Sequence, residues 1–156
     1  MPLAGIKYKR LIGKLQVEDY FRAPADVIVF KKGNRAVAVK GGTKEVIASS
    51  SDHSSVFQKA INYIKGLGGG VLFVDVGEYD VNVKLVSNIY LIGAGRKTVL
   101  RPANKDNPVI DVEDSSLTYG NVKISDLYIY NPDLDKTGIG INWQFYWSRC
   151  ERVHIQ

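Results

Sequence analysis

A single cysteine, Cys150, leaves this 156-residue chain without an internal disulfide and gives no firm indication of redox compartment. With only His53 and His154 beside it, no zinc-type ligand set can be assembled. No apolar run approaches the roughly 18 residues that a membrane-spanning helix requires. Met1 to Arg10 carries charges where a secretion signal needs an apolar core of about 7–15 residues, so no export signal is visible. With only 5 prolines, 45% hydrophobic and 24% charged residues, the composition is that of a globular chain. Its length fits one ordinary domain of about 100–200 residues.

Charge is present but uneven. Residues 1–51 hold ten Lys and Arg against four acids, whereas residues 52–156 hold 11 basic and 12 acidic side chains. A basic head on a neutral body is expected to meet an acidic partner, whether protein, nucleic acid or lipid headgroup. The competing reading is a solvated basic surface. Residues 1–24 show no clean period: Leu11, Ile12, Leu15 and Val17 fit one helical turn or a short strand, and Gly13 weakens both. This segment reads as an arm, with Lys7, Lys9, Arg10 and Lys14 as candidate partner-docking residues.

Residues 25–51 read as a small antiparallel β head. Asp26–Phe30, Arg35–Lys40 and Glu45–Ala48 are separated by Gly-containing turns, and Ser49-Ser50-Ser51 is a polar hinge. An amphipathic helix follows, with Val56, Phe57, Ala60, Ile61 and Ile64 on one face. Asp52, Ser54 or Ser55 can cap it, Ser55 and Gln58 have capping-box spacing, and Gly66 is a natural stop.

From Val71 onward, short strands alternate with Gly, Asn, Asp and Ser corners. Asn88–Gly93, Asp126–Asn131 and Arg152–Gln156 resemble one another, with Ile89 and Leu91, Leu127 and Ile129, and Val153 and Ile155 expected inward. The spacing from Leu127 to Val153 suits one repeat of about 20–45 residues. The longer spacing from Ile89 to Leu127 needs a loop, for which Thr98–Pro108 is the natural place. Val122-Lys123-Ile124 reads as the preceding face of the same coil.

The segment Asp52–Gln156 resembles the start of right-handed parallel β-helix proteins of the pectin-lyase-like superfamily. The marks are the helix, Gly68-Gly69-Gly70-Val71, Gly77-Glu78-Tyr79, Ser87-Asn88-Ile89, Gly93-Ala94-Gly95 and Thr98. At Asp75-Val76 it departs from the usual pattern, in which a proline commonly precedes the Gly-x-Tyr. The resemblance implies a mainly β right-handed solenoid over residues 52–156, with its open end plugged by an N-terminal capping helix. Because the chain stops inside a strand and no C-terminal cap is visible, it is expected to be the front of a longer protein. Asp26–Ser51 looks like the lead-in of archaeal surface and viral β-helix proteins.

The same resemblance frames the chemistry. Lyases of the superfamily hold calcium with clustered carboxylates, and its glycoside hydrolases use paired carboxylates. Candidate acids are Asp111, Glu113, Asp114, Asp133 and Asp135, against a reading of them as solvated acids at corners. Neither the polygalacturonase series nor the arginine-centred motif of pectate lyases is found. Gly93–Thr98 lacks the full phosphate-loop spacing and a following helix, and reads as a tight corner.

Aromatic residues carry the sharper expectation. Tyr90, Tyr128 and Tyr130 fall at outward positions, and in-register strands would align Tyr90, Tyr128 and His154 about 4.8 Å apart. Trp143, Phe145, Tyr146 and Trp147 form a dense cluster. Exposed flat rings suit sugar binding, so Tyr90, Tyr128, Tyr130, Trp143 and Trp147 are candidate glycan-binding residues; core packing and a subunit interface are the competing readings. Cys150 is expected in the interior as a small apolar residue, and His53 near the helix start without a catalytic role.

Two functions are compatible with these features. One is a virion tail-spike or surface attachment protein: its basic region docks to other virion or surface proteins, its β-helix reaches cell-surface polysaccharide, and it assembles as a homo-oligomer, a trimer by preference. This reading places the protein on the virion or cell exterior. The other is the N-terminal portion of a polysaccharide lyase or glycoside hydrolase whose catalytic coils lie beyond residue 156. No catalytic constellation and no cofactor is visible, and calcium would enter only for a lyase.

Overall fold

The computed structural model describes residues 25–113, 119–131 and 140–156. Strands β1 (Val27–Lys32), β2 (Arg35–Lys40) and β3 (Val46–Ser50) form an antiparallel meander, and helix α1 (His53–Gly66) follows. The rest is short strands: β4 (Gly70–Val74), β5 (Gly77–Asp80), β6 (Val83–Leu85), β7 (Ile89–Gly93), β8 (Thr98–Arg101) and β9 (Ile110–Val112). They continue as β10 (Tyr119–Gly120), β11 (Lys123–Ile129), β12 (Phe145–Tyr146) and β13 (Arg149–Ile155). The fold is mainly β, with one helix among the described residues and a mixed nine-stranded sheet.

Past the helix every pairing among the described residues is parallel; apart from the short pairing of β10 with β12 and that of β1 with β4, they fall into three ladders. In the first, β4 pairs β7, β7 pairs the front half of β11, and β11 pairs β13. In the second, β5 pairs β8, and β8 pairs Tyr128 and Ile129 of β11. In the third, β6 pairs β9, and Ile110 bridges Ile141. Buried and more exposed positions alternate along these strands, so each ladder turns one apolar face to the core and the other outward. Leu72, Leu91 and Ile124 share a register on the first ladder and are fully buried. Tyr79 with Leu100, and Leu85 with Val112, do the same on the other two.

The helix closes this core. Val56, Phe57, Ala60, Ile61 and Ile64 have no exposed surface, and burying each large side chain contributes about 1.5–3 kcal/mol. Asp52 is the N-cap, accepting from the Ser55 N–H at 3.1 Å. Ser55 therefore does not cap, and Gln58 is directed elsewhere. Gly66 is the last helical residue; the left-handed turn comes two residues later, at Gly68 with φ +87°. Gly69 and Gly70 continue with φ +130° and +153°, where a side chain would be strained and a Cβ would strike Asn88 and Asp26.

Two expectations about register are overturned. Tyr90 aligns with Lys123 and not with Tyr128, and Leu91 aligns with Ile124 and not with Ile129. The reason is that β11 serves two ladders: Lys123–Ser125 lie on β7, Asp126 turns the chain with φ 58°, and Tyr128–Ile129 lie on β8. The loop placed at Thr98–Pro108 begins later, because Thr98–Arg101 is strand β8. Cys150 is also not interior. It shares the register of fully buried Ile124 but is exposed, since no further strand covers β13 among the described residues.

Candidate functional site

The first ladder brings Tyr90, Lys123 and Arg149 into one outward row. Two residues ahead of each stand Asn88, Asn121 and Trp147, all with left-handed backbones at φ 62°, 57° and 54°. The asparagines suit this conformation because their short amides bond locally: Asn121 Nδ2 donates to Asn88 Oδ1 at 3.1 Å. Tyr90 joins them, its hydroxyl donating to Asn121 Oδ1 at 3.1 Å. Together Tyr90, Asn121, Val122, Lys123, Trp147 and Arg149 line an open groove of about 400 Å³.

The groove presents rings and cations side by side. Trp147 is 94% exposed and Tyr90 37%. Glu151 lies 3.3 Å from Lys123 Nζ and 3.7 Å from a guanidinium nitrogen of each of Arg149 and Arg152, so one carboxylate faces three cations. These contacts reach solvent and are weak, which leaves positive charge for an anionic group. Chemically, the surface can stack a flat apolar ring and pair an acidic substituent.

A second aromatic group lies outside the second ladder. Tyr128 stacks on Tyr130 with centroids 5.9 Å apart and meets His154 at 5.0 Å. Its hydroxyl donates to Gln156 Oε1 at 2.5 Å. Both tyrosines are half-buried. The five aromatic candidates thus divide: Tyr90 and Trp147 share the groove, Tyr128 and Tyr130 share the stack, and Trp143 is 39% exposed. The basic candidates Lys7, Lys9, Arg10 and Lys14 lie outside the described residues, as do Asp114, Asp133 and Asp135.

The remaining acids have structural ties. Asp111 Oδ1 accepts from Asn142 Nδ2 at 2.8 Å, and Glu113 pairs with Lys65 at 2.6 Å. Among the described residues no cluster of three or more His, Cys, Asp or Glu is placed to hold a metal ion. Gly93–Thr98 forms a corner, in which Thr98 Oγ1 accepts from the Ala94 N–H at 2.8 Å.

Lys123 and Arg149 escaped the sequence reading of the site. The match of Leu127 with Val153 holds and carries Lys123 onto Arg149, but the match of Ile89 with Leu127 hid the alignment of Lys123 with Tyr90.

No protein-family model and no curated protein sequence matches the chain. Among solved structures it is similar to the A-module of the mannuronan C-5 epimerase AlgE6 from Azotobacter vinelandii, with a TM-score of 0.52 and 22% identity over 67% of this chain. The chain spans about a third of that module's length, 34%. At this identity the likeness concerns the fold alone.

Proposed function

We propose that residues 52–156 wind as a right-handed parallel β-helix sealed by α1, and that this β-helix binds an acidic polysaccharide as the glycan-directed part of an attachment protein. The winding is supported by three parallel ladders that the chain visits in a constant order. The observation that carries the binding role is the groove in which Tyr90 and Trp147 meet Lys123 and Arg149. An enzyme named for mannuronan, an acidic polymer, has a similar fold, which makes a saccharide the natural ligand to try first. Residues 1–24, with Lys7, Lys9, Arg10 and Lys14, supply the docking arm for a virion or cell-surface particle, and assembly is trimeric.

The test is calorimetric titration of the full chain with polymannuronate and with neutral dextran. Saturable binding to polymannuronate above dextran is expected. Equal binding removes the acid preference, and binding to neither removes the role. A monomer by light scattering would remove the trimeric spike.

The likeness to an epimerase module favours a second reading, in which the chain belongs to a polysaccharide-modifying enzyme and calcium enters for a lyase. Product release from polymannuronate above buffer, with or without calcium, would decide for it over attachment alone.

A further inference from the structure

Trp147 stands where its ladder-mates are asparagines. Asn88, Asn121 and Trp147 precede in-register Tyr90, Lys123 and Arg149 by the same two residues, and all three have φ between 54° and 62°. Asparagine enters the left-handed region at little cost, whereas for a bulky side chain it is an outlier. An outlier of this kind persists only where its surroundings impose it or its function requires it.

Among the described residues, packing does not repay that strain. Trp147 is 94% exposed, so its indole withdraws almost no apolar surface from water. An asparagine at 147 would instead extend the amide row begun by Asn121 Nδ2 and Asn88 Oδ1. The backbone rung around the position is independently tied: Val122 N–H donates to Ser148 Oγ at 3.0 Å, and Arg149 N–H to the Val122 carbonyl at 2.9 Å. The left-handed turn is therefore set by the rung and not by the indole.

We infer that Trp147 is a dedicated stacking platform for a ring-bearing saccharide, held in an asparagine position of the ladder at a cost to stability. The inference rests on the saccharide-binding reading of the groove and adds which residue supplies the stacking face. The indole lines the same groove as Tyr90, Lys123 and Arg149, so that a pyranose face can lie on it with its acid group toward Arg149 and Lys123.

The experiment compares the wild-type chain with Trp147→Asn, Trp147→Gly and Trp147→Phe by thermal melting and by titration with polymannuronate. Trp147→Asn is expected to melt about 2–5 °C higher, since relief of strain in a domain of this size shifts Tm by that order. It should also bind about tenfold or more weakly, as loss of an aromatic anchor does. Trp147→Gly should melt no lower than wild type, and Trp147→Phe should keep both the wild-type melting point and most of the binding. Melting of the Asn and Gly variants below wild type would overturn the inference, because the indole would then be packing. Undiminished binding by Trp147→Asn would also overturn it, while leaving the saccharide reading intact. A wild-type chain that binds neither polymannuronate nor dextran overturns both.

Discussion

Gln58 meets Lys84 as a neighbouring strand would. Its Oε1 accepts the Lys84 N–H at 3.0 Å, while its Nε2 donates to the Lys84 carbonyl at 3.2 Å. The same face of α1 continues this closure of the front edge. Ser54 Oγ accepts from the Asn82 N–H at 3.0 Å, and His53 Nδ1 from the Asp80 N–H at 3.2 Å. His53 Nε2 lies 3.1 Å from the Asn34 carbonyl, which ties the helix start to the β1–β2 turn. The helix thus covers the apolar end of the ladders and also satisfies backbone groups on the edges of β5 and β6, which would otherwise invite another strand.

Gln58→Ala removes one donor and one acceptor from that edge. Both bonds are near solvent, so the expected loss is about 1 kcal/mol. Thermal melting should fall by about 2–5 °C. An unchanged melting point would mean that water replaces the amide at no cost.

Thr98 is fully buried, and its hydroxyl links three backbone groups: it accepts from Ala94 N–H and lies 3.2 Å from the Val74 carbonyl and 3.3 Å from that of Asp75. Thr98→Val keeps the shape but leaves the Ala94 N–H unpaired. The expected destabilisation is about 1–3 kcal/mol, measured by urea denaturation. Thr98→Ser should lose less, because it retains the acceptor; a Thr98→Val variant as stable as wild type would show that the hydroxyl's bonds add nothing.

Asp126 and Arg152 are the two non-glycine corner residues of β11 and β13, joined by a two-toothed ion pair at 2.5 and 2.7 Å. The Arg152 hydrogen bonds hold the Asp126 carboxyl down at about 2. A depressed carboxyl stabilises the fold above its unfolded value of about 4 and loses that contribution as pH falls toward about 2. Arg152 is well exposed, so the contribution is small and screened by salt. Asp126→Asn should flatten the acid limb of the stability curve between about pH 4 and pH 2. An identical acid limb in wild type and variant would show that the pair contributes nothing.

Lys123→Gln with Arg149→Gln tests the charge in the groove. Binding to polymannuronate should fall about tenfold or more at low salt, and the wild-type advantage should shrink as salt rises. Dextran affinity should not change. Equal weakening toward both polymers would assign the two side chains a shaping role.

Much of the fold was legible in the sequence because it depends on local pattern. The 3.6-residue spacing of Val56, Phe57, Ala60, Ile61 and Ile64 marks a one-sided helix wherever it docks, and the alternation of Ile89 with Leu91 and Leu127 with Ile129 marks inward faces of strands. The Asp52 cap and the Lys31–Asn34 turn lie close to where short polar side chains and glycine place them.

What the sequence by itself determined was the kind and order of elements, since propensity and periodicity act within a few residues. Which strands became neighbours was decided only in three dimensions. Similar segments such as Ile89–Leu91 and Leu127–Ile129 invite pairing, but a left-handed Asp126 divides β11 between two ladders and shifts the partner of Tyr90 to Lys123. That shift assembled the groove. Cations at Lys123 and Arg149 and a ring at Trp147, remote in sequence from Tyr90, share one surface because parallel pairing sets strands about 4.8 Å apart whatever the chain length between them.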